Sequence, residues 1–197
     1  MLSHLRPAIM LTLGFTLLTG VAYPLAMTAV AQALFPAAAN GSLIARDGAV
    51  IGSSLIGQAF VGAAYLHPRP SASNWNAAGT GASNLGPTSA ILVGQVTDRR
   101  AAFLAQNGTD APIDAITASG SGLDPDISPE TALAQVQRIA TARGVDANAV
   151  RIIVNAAVEG PFLGLYGAPR VNVLRTNMAL DEALPMPPAG GQGDAVR

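Results

Sequence analysis

The chain has 197 residues, a net charge of −1 and a hydrophobic fraction of 50%, and this length suits one domain with an appendage. A chain so close to neutral lacks the basic surface that attracts nucleic acid, so we expect no nucleic-acid partner. Cysteine is absent, which excludes disulfides, thiolate metal ligands and a cysteine nucleophile together.

An uncharged, strongly apolar tract lies near the N-terminus. Charged side chains are missing from Pro7 to Ala45, and the apolar part runs from Ala8 to Leu34. A bilayer core of about 30 Å needs about 20 apolar helical residues, so this tract is long enough to span it. Residues 29–31 (Ala-Val-Ala) also have the small-x-small pattern of a signal-peptide cleavage site. We favour a retained anchor, because the apolar stretch of a signal peptide is only about 7–15 residues long.

The charges beside this tract predict its orientation. Arg6 lies on its N-terminal side, whereas the C-terminal side stays neutral until Arg46. Positive charge is retained in the cytoplasm, so we predict a cytoplasmic N-terminus and place the rest of the chain outside. The predicted plan is a cytoplasmic segment 1–7, a transmembrane helix 8–34, an extracytoplasmic domain 35–184 and a flexible Pro/Gly-rich tail 185–197.

Two contrasting segments follow the anchor. Apolar runs flank Asp47-Gly48 between Ser42 and Ile51, a pattern that predicts a β-hairpin. From His67 to Thr88 the sequence is rich in Pro, Gly, Ser and Asn, and Arg69 is its only charge. An irregular stretch of about 20 residues within a compact domain is usually functional or disordered. The low charge and the presence of Trp75 argue against disorder.

Helices and short strands are predicted for the rest of the chain. Ser128-Pro129-Glu130 is a strong start signal, with a capping serine, a proline at the first helical position and an acid in the first turn. The predicted helices run from Ser89 to Gln106, from Pro129 to Arg143 (with Leu133, Val136, Ile139 and Ala140 inward), from Ala147 to Val158 and, last, to about Glu182; the predicted strands are Ile113–Thr117 and Val171–Leu174. The predicted fold class is therefore α+β: one N-terminal transmembrane helix, then a single extracytoplasmic domain in which three or four helices cover a small, mostly antiparallel sheet.

Motifs for chemistry are few. No lysine is present to complete a phosphate-binding Gly-x-x-x-x-Gly-Lys loop, and the two histidines, His4 and His67, supply no zinc ligand set. Gly79-Thr-Gly81 has Asn84 where a dinucleotide-binding loop has its third glycine, and it follows a loop instead of a strand.

One serine-rich turn leaves an alternative function open. Ser119-Gly120-Ser121-Gly122 resembles the turn that carries the nucleophile of serine hydrolases, but serine stands where that motif has its first glycine. A triad of Ser121, His67 and Asp124 would make the chain a membrane-anchored periplasmic serine hydrolase. We favour a simple turn before the next helix, because most short motif matches are accidental.

Five residues are candidates for contact with a partner protein. His67, Arg69 and Trp75 could anchor such a contact. The prolines around Arg69 can instead fix a turn, and a lone tryptophan is often buried in its own domain. Asn84 and Arg170 complete the candidates, although an exposed arginine is more often solvated or locally paired.

Six segments resemble, in order, the signatures of one protein family. They are Gly52–Phe60, Tyr65–Ala72, Gly81–Pro87, Thr117–Pro129, Gln135–Gly144 and Pro169–Leu174. Together with the apolar tract they resemble the C subunit of Kdp-type potassium-transporting ATPases over nearly the whole chain. Residues 166–168 (Tyr-Gly-Ala) depart from the more acidic pattern expected there.

The resemblance implies a non-catalytic accessory subunit of a high-affinity, ATP-driven potassium uptake pump in the bacterial inner membrane, with its main domain in the periplasm. The implied partners are the channel-like potassium-translocating subunit, the ATP-hydrolysing P-type subunit and the membrane. The family is described as a catalytic chaperone that raises the ATP affinity of the hydrolysing subunit, so ATP is expected through the complex and no cofactor is assigned to this chain alone.

A direct contact with ATP would be assigned to Ser119, Gly120, Ser121 and Gly122. The predicted topology conflicts with such a contact, because it places the domain outside the cell while ATP is inside. We therefore expect the domain to act through the membrane helix and the outer face of the channel-like subunit.

Overall fold

The computed structural model describes residues 4–46 and 48–186. Beyond its first two positions, the predicted tail 185–197 lies outside the described residues. The described chain forms two compact units, which divide between Ser53 and Ser54.

A long apolar helix makes up most of the first unit, and this confirms the helix predicted from the apolar tract. It consists of α1 (Leu5–Leu17), a π-helical turn (Leu18–Ala22) and α2 (Tyr23–Leu34). None of its residues is buried, and its length and composition are sufficient to cross a membrane. Pro24 has no N–H for the preceding turn, and its ring crowds the carbonyl four residues earlier, so the backbone widens there.

A short helix and a β-hairpin complete the first unit. They are α3 (Pro36–Ala39), β1 (Leu43–Arg46) and β2 (Ala49–Ser53). The strands are antiparallel and Arg46 pairs with Ala49, which confirms the predicted hairpin. Asp47 lies outside the described residues, and Gly48 has a positive φ of 79°, as tight hairpin turns require.

The hydrophobic core lies in the second unit, where helices pack on a three-stranded sheet. The elements are α4 (Ala90–Asn107), α5 (Ile113–Ile116), β3 (Asp126–Ile127), α6 (Pro129–Ala134), α7 (Val136–Arg143), α8 (Ala147–Ala156), β4 (Val158–Glu159), β5 (Arg170–Asn172) and α9 (Val173–Ala183). The sheet is antiparallel in the order β3-β5-β4, and Val171 in its central strand pairs with Ile127 on one side and Val158 on the other.

Apolar side chains from helices and sheet close this core. Its buried members include Leu66, Ile127, Val136, Ile139, Val150, Val154, Val171 and Leu180. Burial of each such side chain stabilises the fold by about 1.5–3 kcal/mol. The predicted α+β class is confirmed.

The start signals read from the sequence are confirmed in detail. The Ser128 hydroxyl accepts the Thr131 N–H (3.0 Å) and Pro129 is the first residue of α6. Ser89 caps α4 by accepting the Leu92 N–H. The predicted stop at Gly144 is also confirmed.

The strand predicted at Ile113–Thr117 is wrong, because these residues begin a one-turn helix, α5. A short run of apolar and β-branched residues fits either structure. Pro112 precedes the turn with φ −60°, and the Asp114 carboxylate accepts hydrogen bonds from Ser128 and Thr131. This link to the start of α6 fixes the segment as a helical turn.

Three other boundaries differ from prediction. The helix predicted to run to Val158 ends at Ala156, and Val158 lies in strand β4. The helix expected from 129 to 143 is interrupted at Gln135, and Leu133, which was expected to face inward, is 38% exposed. The last predicted strand ends early, because the Asn172 side chain accepts the Arg175 N–H and caps α9. Val173 and Leu174 are therefore helical, although both remain buried.

Candidate functional site

Two irregular segments of the second unit pack against each other and contain most of the predicted site residues. We call them the proline loop (residues 67–88) and the serine loop (residues 117–124). The Ser119 N–H donates to the Pro70 carbonyl (3.1 Å), and the Gly81 N–H donates to the Ser121 carbonyl (2.9 Å). Neither loop has regular secondary structure, so these bonds satisfy backbone groups that would otherwise need water.

Gly122 lies where the two loops approach most closely. The Ser71 hydroxyl donates to the Gly122 carbonyl (2.7 Å). The φ angle of Gly122 is +70°, and a Cβ there would press on the Ser73 hydroxyl and lie 2.7 Å from the Gly81 carbonyl oxygen. Only glycine accommodates both the angle and the lack of space. The turn that resembled a nucleophile motif therefore has a packing role.

Three backbone donors of the serine loop are used within the fold. The Ser119 N–H is bonded to Pro70 and the Gly122 N–H is directed at the Ser119 carbonyl (3.4 Å). The Leu123 N–H donates to the Ser121 hydroxyl (3.1 Å). Anion binding by a loop depends on N–H groups that point outward, and these three are engaged internally.

The residues of the alternative triad are held by separate partners. The Ser121 hydroxyl accepts a backbone N–H, His67 Nε2 lies 3.1 Å from the Gly62 carbonyl, and Asp124 pairs with Arg69 (2.9 Å). Within the described part of the chain, none of the three side chains hydrogen-bonds another. The nucleophile–base contact that a hydrolase needs is therefore not assembled.

Arg69 ties the proline loop to the serine loop. Its guanidinium forms the ion pair with Asp124 and also donates to the Thr117 carbonyl (3.5 Å). The side chain is 26% exposed, and its Nε is buried without a hydrogen-bond partner among the described residues. Since both prolines beside Arg69 restrict the backbone, the guanidinium is held in position between the two loops.

His67 sits at the base of the proline loop as a neutral donor. The His67 backbone N–H donates to Gln135 Oε1 (2.8 Å). Ring Nε2 lies 3.1 Å from the Gly62 carbonyl oxygen, which can only accept, so this nitrogen is the donor. Burial, together with the nearby Arg138 cation, lowers the pKa of His67 below its ordinary value of 6.5. The ring is therefore uncharged at neutral pH.

Two arginines of α7, Arg138 and Arg143, hydrogen-bond backbone carbonyls of the segment before the proline loop. The sequence analysis did not identify either of them. Arg138 donates to the carbonyls of Ala63 (2.6 Å) and Tyr65 (3.0 Å) and to Gln135 Oε1 (2.6 Å). Burial lowers its pKa to about 10, so it stays charged at neutral pH.

Arg143 is the more deeply buried of the two. It is 2% exposed, and its guanidinium donates to the carbonyls of Ala64 (2.8 Å), Leu180 (3.0 Å) and Leu184 (2.7 Å). It also pairs with Asp181 (2.9 Å). One side chain thus links the segment before the proline loop to the last helix.

A spacing in the sequence could have found Arg143. Gln135, Ile139 and Arg143 are four residues apart, so they share one face of the predicted helix. Ile139 was predicted to face inward, and all three are buried. A polar residue on the same stripe as a core residue must bring its own hydrogen-bond partners, but the sequence does not show that these come from residues 63–67 and from α9.

Trp75 of the proline loop borders a cleft of about 330 Å³. The tryptophan is half-buried, and its backbone N–H donates to the Ser71 hydroxyl (2.9 Å). Phe60, Val61, His67, Pro68, Pro70 and Gln106 also line this cleft. Asn84 is exposed, has a positive φ of 52° and does not line the cleft.

The structure brings Arg69 and Arg170 to a second cleft, of about 390 Å³. Its charged lining consists of Arg69, Asp114, Asp124, Asp126, Glu130 and Arg170. Arg170 pairs with Asp126 (3.2 Å) and Glu159 (2.7 Å), so its charge is compensated locally. In residues 4–46 and 48–186, no group of three His, Asp or Glu side chains has the geometry of a metal site.

Two carboxylates of this cleft differ in their ionisation. Burial opposes ionisation of Asp114, but hydrogen bonds from Ser128 and Thr131 outweigh it and lower its pKa. Burial raises the pKa of Asp126 despite the favourable Asn172 amide. Asp126 is therefore the carboxylate that protonates first as the pH falls.

Comparison with known proteins identifies similar chains over nearly the whole length of this one. A family model described as K+-transporting ATPase, c chain (KdpC) matches residues 5–182. Three relatives named "Potassium-transporting ATPase KdpC subunit" come from Cereibacter sphaeroides strain ATCC 17029, Methylorubrum populi and Rhodopseudomonas palustris. They are 63%, 52% and 50% identical over alignments that cover 93%, 92% and 94% of this chain and 99%, 98% and 100% of theirs. These matches confirm the resemblance drawn from the sequence motifs.

Proposed function

This chain belongs to the KdpC family, the c chain of K+-transporting ATPases, and we propose that it serves such a pump as a membrane-anchored, non-catalytic accessory subunit. The observation that carries the proposal is the extent of the family match. It begins at residue 5 and ends at residue 182, so it includes the apolar helix as well as the second unit.

The apolar helix supports a retained anchor. It has no buried residue, and a helix that is apolar all round requires an apolar environment. Relatives are aligned over 98–100% of their own length, so the helix is matched in proteins that are named as subunits of a transporter. We assign residues 8–34 to the membrane.

For the topology we propose a cytoplasmic segment 1–7 and a periplasmic domain 35–184. Arg6 on the N-terminal flank supports this orientation. The implied partners are the channel-like potassium-translocating subunit and the ATP-hydrolysing P-type subunit.

This topology restricts how the chain can influence ATP. A periplasmic domain cannot contact cytoplasmic nucleotide, and the N–H groups of Ser119, Gly122 and Leu123 are engaged within the fold. We therefore propose that any gain in ATP affinity of the hydrolysing subunit is transmitted through the anchor helix and the channel-like subunit, with no ATP bound by this chain.

For the partner contacts we retain the five residues named from the sequence and rank them by exposure. Asn84 is exposed, the Arg170 side chain is 48% exposed and Trp75 is half-buried. His67 and Arg69 contribute indirectly, because their polar groups hold the loop in position.

The orientation is tested with single-cysteine variants, which need no background substitution because the chain has no cysteine. We expect Val61→Cys, at a position 88% exposed, to react with a membrane-impermeant maleimide in intact cells after outer-membrane permeabilisation. His4→Cys should react only after the inner membrane is opened. Protection of Val61→Cys under the first condition would refute the topology.

The subunit role is tested separately by mild-detergent purification of the tagged chain from its own membranes. We expect two large membrane partners and K+-stimulated ATP hydrolysis to co-purify. A Trp75→Ala variant should retain its own fold but recover less of both. Recovery of the unaltered chain alone, from membranes that contain the partners, would contradict the proposed role.

A further inference from the structure

A short apolar turn projects from the second unit between β4 and β5, and neither the family match nor the site above accounts for it. We call residues 161–167 (Pro-Phe-Leu-Gly-Leu-Tyr-Gly) the apolar tip. Its large side chains are mostly exposed: Phe162 70%, Leu163 75%, Leu165 79% and Tyr166 69%. Runs of exposed apolar residues of this kind are rare unless they have a function.

The tip is an ordered turn. Phe162 and Tyr166 exchange both backbone hydrogen bonds (2.8 and 3.0 Å), and the Gly164 N–H donates to the Pro161 carbonyl (3.0 Å). Leu163 has a positive φ of 53°, a conformation that is unfavourable for a leucine. The fold therefore holds a bulky apolar residue at the apex of a turn where glycine or asparagine would be easier.

The tip carries no charge, and the charges at its base are paired. Residues 160–169 contain no Asp, Glu, Lys or Arg. Glu159 and Arg170, which flank them, form an ion pair of 2.7 Å. A charged partner would find no complementary charge on the tip. Its phenylalanine, leucine and tyrosine side chains are instead suited to insertion into an apolar environment.

The exposed area of the tip is small for a protein interface. Fully exposed aromatic side chains present about 150–250 Å² each, so Phe162 and Tyr166 offer about 200–350 Å² between them at their exposed fractions. A stable protein interface buries about 800 Å² on each partner. The two leucines do not close that gap.

A lipid surface requires less area, because the anchor helix already holds the chain at the membrane. Contact by the tip is then intramolecular, and its effective concentration is high. Tyrosine and phenylalanine favour the membrane–water interface. We propose that the apolar tip inserts into the interface of the bilayer that holds the anchor helix, which gives the second unit a further membrane contact. This inference rests on the anchoring proposed above and does not depend on pump membership.

The test uses the full-length chain, reconstituted alone in phosphatidylcholine vesicles, with an environment-sensitive fluorophore on a single introduced cysteine. Leu163→Cys and Leu165→Cys report on the tip. Ile113→Cys, at a position 76% exposed, is the matched control outside the tip. Circular dichroism verifies that each variant is folded.

We expect both tip labels to show blue-shifted emission, to lose quenching by aqueous iodide and to be quenched by lipids that carry a quencher near the headgroup. The Ile113→Cys label should remain open to iodide. Protection should not change with ionic strength, since the tip has no charge to be screened.

Two results would overturn the proposal. Equal iodide quenching of tip and control labels would show that the tip stays in water. Protection that appears only when the other pump subunits are added would assign the tip to a protein partner. Alkaline carbonate extraction separates failure of the anchor from failure of the tip: an extractable chain refutes the anchoring and this inference with it, whereas a retained chain with exposed labels refutes this inference alone.

Discussion

Arg143→Met tests whether one buried guanidinium holds the second unit together. Methionine has a similar length but donates no hydrogen bond, so the carbonyls of Ala64 and Leu184 lose the guanidinium as their donor, whereas the Leu180 carbonyl keeps the Leu184 N–H. Each buried acceptor without a partner costs about 1–3 kcal/mol. The Asp181 carboxylate loses less, because it is 22% exposed and can be hydrated.

Relaxation and the added apolar packing of methionine offset part of this loss, so we expect the free energy of unfolding to fall by about 3–5 kcal/mol, as is typical when one member of a buried charge pair is removed. A domain of this size loses about 2–4 °C of Tm per kcal/mol, which corresponds to a decrease of about 6–20 °C. Arg143→Lys keeps the charge but lacks the planar fork that reaches several carbonyls. Its Tm should therefore lie between those of Arg143→Met and the unaltered chain.

The assay is thermal unfolding of the detergent-solubilised full chain, followed by circular dichroism and by the fluorescence of its single tryptophan, Trp75. Arg151→Met on the exposed face of α8 is the matched control, and its Tm should stay within about 2 °C of the unaltered chain, as for ordinary surface substitutions. If Arg143→Met unfolds at the same temperature as Arg151→Met, the three carbonyls do not depend on the guanidinium and the reasoning is refuted.

Three further predictions concern Gly122, His67 and Asp114. Gly122→Ala should lower the free energy of unfolding by about 2 kcal/mol, because alanine at this position meets both a positive φ and a lack of space. Gly120→Ala should leave the free energy of unfolding nearly unchanged in the same denaturation assay. Equal effects of the two substitutions would contradict the packing role of Gly122. The lowered pKa of His67 means that the unfolded chain binds its proton first as the pH falls below 6.5, so stability should decrease from there downward. His67→Gln should therefore flatten the dependence of Tm on pH below 6.5; an unchanged slope in that range would assign it to other groups. Asp114→Ala removes the acceptor that joins α5 to α6 and should lower the free energy of unfolding by about 1–3 kcal/mol. Glu130→Ala, in the first turn of α6, should have a small effect; the reverse order would rule out the assigned role of the Asp114 carboxylate.

Local sequence signals predicted most helix starts and stops of the second unit to within a few residues. Ser128 caps α6 and Gly144 ends α7 as expected, because the side chain that satisfies each helix end lies within a few residues of it. The apolar helix was also predicted from local sequence, because an uncharged apolar tract of that length is typical of a membrane-spanning helix.

The mistakes arose where a distant partner decides the conformation. Ile113–Ile116 resembles a short strand, and only the hydrogen bonds from Ser128 and Thr131 to Asp114 make it a helical turn. Asn172 likewise ends β5 early, because it caps α9 while its amide also donates to the Ser54 carbonyl (3.0 Å).

The sequence by itself determined the family, the long apolar helix and most element boundaries, since motifs, apolar length and capping residues act over a few positions. Only the tertiary structure decided that the serine loop packs on the proline loop, that Arg138 and Arg143 serve carbonyls some 40–80 residues away in the chain, and that residues 162–166 stay exposed. A buried arginine and a solvated one have the same letter, and what separates them is the set of acceptors that folding brings around the guanidinium.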